Sequence, residues 1–250
     1  MLVGKVTIFT YFLGRFLYLQ TKTYMIYSFT KKSTNKVNCN AKGKGFLTMR
    51  SVHKIDLRPE VFDALSKQCI DIFKNKSTND VFKIMTKMMD NPDVPMHYPY
   101  HHFILPASLL TSAAMVNKLS QDELEKMLII ACQRAKQVPG GFCGNCGSCG
   151  AGVGAGIFMS VYTDTSPMSE QTWQWCNEIT AQCLQKISSV PGPRCCKRTC
   201  FLSAQAAVPY IQNRLNITLP ITQKIVCKYA HKNPTCKKNL CPFYQEGELI

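Results

Sequence analysis

SQDELEKMLIIACQRAK, residues 120–136, decides the fold class. Ser120 and Glu123 have capping-box spacing, in which a hydroxyl and a carboxylate satisfy the free amides of a starting helix. Behind them Leu124, Met127, Leu128, Ala131, Cys132 and Ala135 recur at three- and four-residue intervals, the stripe of a helix buried along one face.

The same pattern extends outward on both sides. Asp56 caps a helix with Pro59 in its first turn, and Val61, Phe62, Leu65, Cys69, Ile72 and Phe73 form its apolar face. Ser77 with Asp80 predicts another start, followed by Val81, Ile84, Met85 and Met88. Four prolines between Asn91 and Pro106 predict an irregular connection, after which Pro106 opens a helix through Leu119. Ser169 begins a helix whose inner face is Trp173, Cys176, Ile179, Thr180, Cys183 and Ile187. A last long helix is expected from Thr199 to Leu215, bent at Pro209; only Ile217 to Lys228 reads as a strand. The expected fold is mostly α: a helical domain over 49–216 and a short Cys/His metal-binding knot over 217–250.

Residues 1–48 stand apart. They hold eight basic residues and no acid, and 31–48 are polar and without period, so they read as a disordered or spurious extension ahead of Met49. A membrane-surface arm or a signal segment is the alternative. No uncharged run there reaches the roughly 20 apolar residues of a membrane-spanning helix. Beyond residue 48 the charge is 22 basic against 15 acidic, with no stripe of lysines and aromatics that would mark a nucleic-acid surface. Nothing has the form of a phosphate loop, a dinucleotide fingerprint or a Ser-His-Asp set.

With 14 cysteines in 250 residues, the chemistry is expected to lie in sulfur. Cys69, Cys132, Cys176 and Cys183 fall on apolar helix faces and read as core, and Cys39 as linker. Cys143, Cys146 and Cys149 form a C-x2-C-x2-C run within GGFCGNCGSCGAGVGAG, residues 140–156. Such a run holds corners of a [4Fe-4S] cluster, with glycines letting backbone amides approach the sulfurs; a zinc site or a redox loop is the alternative. The ferredoxin pattern places a fourth Cys nearby, where Gly and Ala stand here. The vicinal pair Cys195-Cys196, flanked by Arg194, Lys197 and Arg198 at a helix start, is expected to have lowered thiol pKa and to supply the missing ligand. Cys227, His231, Cys236 and Cys241 within fifteen residues have the donors of a closed zinc site. Neither the triplet nor the pair suits a disulfide framework, so a cytoplasmic, reducing and anoxic setting is expected. His101 and His102, flanked by aromatics, are candidate acid/base groups.

The series HHFILPASLL, FCGNCGSCGAGVGAGIF, GPRCCKR and a final C-x3-H-x4-C-x4-CPF resembles an uncharacterised cysteine-rich family of anaerobic archaea and bacteria. There the domain sometimes accompanies a methyltransferase domain. The resemblance spans Asp56 to Phe243 and implies no assigned activity. Cys149, Cys183 and Cys195 are also similar in layout to the iron–sulfur domain of bacterial L-serine dehydratases. The present chain departs from that layout by lacking Asp-Pro after Cys183 and by placing Arg194 between Pro193 and Cys195.

The functional expectation is a [4Fe-4S] protein on Cys143, Cys146, Cys149, Cys195 and Cys196, with zinc at the carboxyl end. Were it an enzyme, an iron lacking a thiolate would bind a small substrate, Arg194, Lys197 or Arg198 would hold its carboxylate, and His101 or His102 would move a proton. That is lyase or sulfur-transfer chemistry. An all-thiolate cluster would instead serve a redox partner, and a zinc-stabilised module serving a methyltransferase or nucleic acid is the rival.

Overall fold

A computed structural model describes residues 56–246; the expectations for residues 1–48 and Cys39 lie outside them. The described chain is helical: α1 (Pro59–Lys74), α2 (Val81–Met89), α3 (Tyr100–Val116), α4 (Gln121–Lys136), the single turn α5 (Phe142–Asn145), α6 (Gly150–Tyr162), α7 (Gln171–Ser188) and α8 (Cys196–Leu215). Helix α3 is the hub. It packs against α1, α2, α4, α6 and α8, and every residue from Phe103 to Ala114 is buried.

Caps follow the sequence in part. The Ser120–Glu123 capping box forms, and Asp80 caps α2 through Lys83 N–H at 2.9 Å. Several starts differ. Arg58, which makes no side-chain cap bond, stands in the capping position of α1 instead of Asp56, and Asp80 rather than Ser77 caps α2. Helix α7 starts at Gln171 rather than Ser169, and α8 at Cys196 rather than Thr199. Two further differences matter more. Helix α3 begins at Tyr100, so Pro106 sits inside it and His101 and His102 occupy its first turn rather than an irregular loop. Pro106 leaves the His102 carbonyl without its helical amide, and Pro106 Cδ and that carbonyl stand 2.9 and 3.0 Å from where a β-carbon on Gly154 of α6 would be. The stretch 217–228 is irregular, with a bend at Gln223, rather than a strand. Among the described residues no strand exists to pair with it, and a lone extended segment has no ladder to complete. It docks instead, with Val81 N–H to the Pro220 carbonyl at 2.9 Å and Thr222 Oγ1 to Asp80 at 2.8 Å. Trp173, expected inside, is 51% exposed, while Ile179 and Cys183 on the same helix are fully buried.

Helix α6 explains the glycine-rich segment. A β-carbon on Gly152 would stand 2.7 Å from Leu184, one on Gly154 2.9 Å from Pro106, and one on Gly156 2.2 Å from Thr180. These glycines let α6 lie close against α3 on one side and α7 on the other; from Gly150 onward they serve helix packing rather than sulfur-facing loop amides.

The carboxyl segment folds onto the helices. Phe243 packs edge-on against Phe201, which packs likewise on Phe82. Tyr229 donates to Asp90, and Cys227 N–H meets the Phe243 carbonyl at 2.6 Å, closing the 227–243 loop.

Candidate functional site

The turn 191–195 ends where α8 begins, and that junction separates two cavities. The larger, about 310 Å³, lies between the 143–150 loop, the end of α7, the first turn of α3 and the first turn of α8. Cys143, Cys149 and Cys196 line it together with His101, His102, Arg194 and Arg198, while Leu184, Ile187 and Val190 form an apolar wall. Residues about fifty positions apart in sequence, Cys143 and Cys149 on one side and Cys196 on the other, are thereby brought to one space.

The smaller void, about 20 Å³, is lined by Cys195, Cys227, Cys236 and Cys241, with Arg198, Asn233 and Lys237. Cys195 is thus separated from Cys196. It ends the turn in an extended conformation (φ −138°, ψ 105°), and Cys196 is the first helical residue. Among the described residues, no three His, Cys, Asp or Glu side chains stand in metal-gripping positions as oriented here.

The remaining sequence candidates sort accordingly. Cys146 is exposed and outside the larger cavity's lining. His231 is exposed, on the 3-10 turn Ala230–Lys232, and outside the lining of the smaller void. Lys197 lines neither cavity: buried, it donates to the Met89 carbonyl at 3.3 Å and stands 4.4 Å from the Tyr229 ring centre. Arg198 lines both, and its guanidinium is spent on the Pro191 and Pro193 carbonyls at 3.3 and 3.0 Å. Arg194 is exposed at the larger cavity. Cys69, Cys132 and Cys183 are core as expected, and Cys176 is half-buried. Cys149, Cys183 and Cys195 share no cavity, since the Cys183 thiol is buried against the Ser203 carbonyl at 3.3 Å.

Electrostatics correct one expectation. Burial pushes the Cys195 thiol above its ordinary value and the Cys196 thiol up to about 12, with Cys149 and Cys143 adding to the latter; Arg194 opposes this without overcoming it. Desolvation of a thiolate outweighs one exposed cation. A thiol in this state gives up its proton when a metal binds it.

Both histidines are neutral at physiological pH. Burial pulls His102 down to about 4 and His101 to about 3. His102 Nδ1 lies 3.2 Å from the Val138 carbonyl, so that nitrogen carries the hydrogen and Nε2 is left as an acceptor. The ring also fixes the loop's exit: a β-carbon on Gly150 would stand 2.1 Å from it. His101 Nδ1 donates to the Tyr98 carbonyl at 2.9 Å, while its buried Nε2 has no partner among the described residues.

The sequence leaves open whether Cys200 is a ligand. It lines neither cavity: its thiol is fully buried and donates to the His101 carbonyl at 3.5 Å. Burial pushes that thiol well above its ordinary value, with Cys196 and Cys149 adding to the shift.

Residues 69–244 match the model of a family of unknown function, DUF5714. The chain belongs to that family. No curated protein and no solved structure matches this DUF5714 chain significantly. Among its described residues no helix is long and apolar enough to cross a membrane.

Proposed function

We propose that this DUF5714 chain is an iron–sulfur protein of anaerobic metabolism whose [4Fe-4S] cluster is held by Cys143, Cys149 and Cys196, and that it is an enzyme acting on a small carboxylate. The observation that carries this reading is the larger cavity. Three cysteines from two distant segments line it, at a volume of about 310 Å³ that leaves room beyond a cluster. Such a cluster, held by three thiolates, would supply an iron with one open position, a Lewis acid for a substrate hydroxyl or thiol.

The chain's own residues divide the remaining work. Arg194 is exposed at the cavity and pairs with the substrate carboxylate. His102, its Nδ1 committed to Val138, presents Nε2 to take a proton. His101 Nδ1 is likewise committed to a carbonyl, so its buried Nε2 is a second acceptor on the same wall. Leu184, Ile187 and Val190 exclude water from one side. The chemistry is elimination or sulfur transfer.

Anoxic purification of the full chain tests this. A brown protein with about four iron and four sulfide per chain supports it, as does loss of both in Cys149→Ala and Cys196→Ala. A change in the reduced cluster's electron paramagnetic resonance signal on adding small hydroxy- or thiol-carboxylates, lost in Arg194→Gln, supports the open position. A colourless chain carrying zinc in the larger cavity overturns the reading in favour of a zinc-stabilised interaction module.

A further inference from the structure

We infer that Cys195, Cys227, Cys236 and Cys241 form a four-thiolate site for a single zinc ion, with Cys195 in the place the local sequence pattern gives to His231. This inference does not rest on the iron–sulfur reading.

Geometry supports the donor set. The four cysteines line one void, and His231 does not. Backbone amides already face three of the sulfurs. Tyr229 N–H points at Cys227 Sγ at 3.4 Å, Lys238 N–H at Cys236 Sγ at 3.4 Å, and the amides of Lys197 and Arg198 face Cys195 Sγ. An amide two residues beyond a cysteine and aimed at its sulfur stabilises negative charge there, which is the state a metal ligand needs. Positive charge is at hand as well: Arg198 and Lys237 line the void and offset the excess of four thiolates over a divalent ion.

Size selects the occupant. A void near 20 Å³ has room for about one water-sized sphere, since roughly 10–15 Å³ of such volume holds one. A multi-iron cluster does not fit, whereas a single tetrahedral ion does. Four thiolates around one ion suit zinc, and a closed sulfur shell is the mark of a structural rather than a catalytic site. Side-chain rotation is needed, because the thiols as oriented do not yet converge.

The site has a mechanical meaning. Three of its ligands lie on the carboxyl segment and the fourth caps α8, so a bound ion fastens residues 227–241 to the helix that also presents Cys196.

The test uses the full chain carrying Cys143→Ala/Cys149→Ala, which removes thiols from the other cavity so that the remaining metal reports this site alone. We expect about one zinc per chain, and a zinc-edge X-ray absorption spectrum showing four sulfurs and no imidazole. Cobalt exchanged for the zinc should give the intense charge-transfer bands of a tetrahedral tetrathiolate. On that background His231→Ala retains the zinc, and Cys195→Ser or Cys236→Ser loses it at least about tenfold more readily to a chelator. Three sulfurs and one imidazole in the unmodified site, or zinc that survives Cys195→Ser and departs with His231→Ala, overturns the proposal; so does a chain that takes up no zinc. The spectrum reads the ligand set even where a cysteine variant fails to fold. Iron and sulfide content, measured separately on the parent chain, reports on the other cavity.

Discussion

Cys195 and Cys196, joined by one peptide bond, line different cavities. Reagents that need two thiols on one side therefore find no target here. Phenylarsine oxide should bind the unfolded chain at this pair and leave the pair unbridged in the folded, metal-free protein. Peptide mass spectrometry after alkylation reads the result. An arsenical bridge across 195–196 in the folded chain would show that both sulfurs reach one space.

Helix α4 gives a stability prediction that leaves the cysteines alone. Ser120 and Glu123 satisfy each other's amides, Ser120 N–H meeting Glu123 at 2.8 Å. Ser120→Ala should cost about 0.5–2 kcal/mol by urea denaturation. An unchanged midpoint would mean the amides find water without loss.

Packing of α6 gives the second. The new methyl of Gly156→Ala would stand 2.2 Å from Thr180 Oγ1 and 3.1 Å from the Cys176 carbonyl, and the Thr180 hydroxyl is already fixed to that carbonyl at 2.9 Å. Overpacking costs about 1–3 kcal/mol, and the gain in helix propensity returns about 1 kcal/mol. The expected net is a loss of about 0–2 kcal/mol, measured by the same denaturation. Gly144→Ala, whose methyl meets nothing within 4 Å, should change little. A stabilised Gly156→Ala would mean that α6 and α7 lie further apart than drawn.

A third prediction concerns pH. Glu178 on α7 accepts from Tyr210 on α8 and from Gln174, and pairs with Arg214 at 2.9 Å; these hold its carboxyl below the ordinary value, the Tyr210 bond most of all. A carboxyl with a depressed folded pKa contributes stability above its unfolded pKa and loses it as pH falls through the folded value. Glu178→Gln should thus lower the thermal midpoint at neutral pH, with the gap to the parent closing as the solution is acidified through the carboxylate range. A gap that stays constant to low pH would show that charge is not what ties α7 to α8.

What the sequence revealed, and what it concealed, follow from the range of the forces involved. Caps and apolar stripes are local, so Ser120–Glu123 and the inner face of α1 are legible from a dozen residues. The start of α3 was hidden because a proline ordinarily opens a helix, and nothing local shows that this helix runs through Pro106. The glycines of α6 suggested a cradle for sulfurs and are mainly a packing surface for two neighbours that no local pattern names. The partition of Cys195 from Cys196 depends on where the chain passes from extended to helical, and no local pattern placed that boundary between the two. His231 fell within a tidy local spacing and lies outside the void, because proximity along the chain is a poor measure of which donors meet.

Arg198 stands between the two voids and clamps the carbonyls of Pro191 and Pro193. One guanidinium is therefore a party wall. Whatever shifts that hinge of backbone, however far from any sulfur, deforms both compartments in the same motion, so damage to either is inherited by its neighbour.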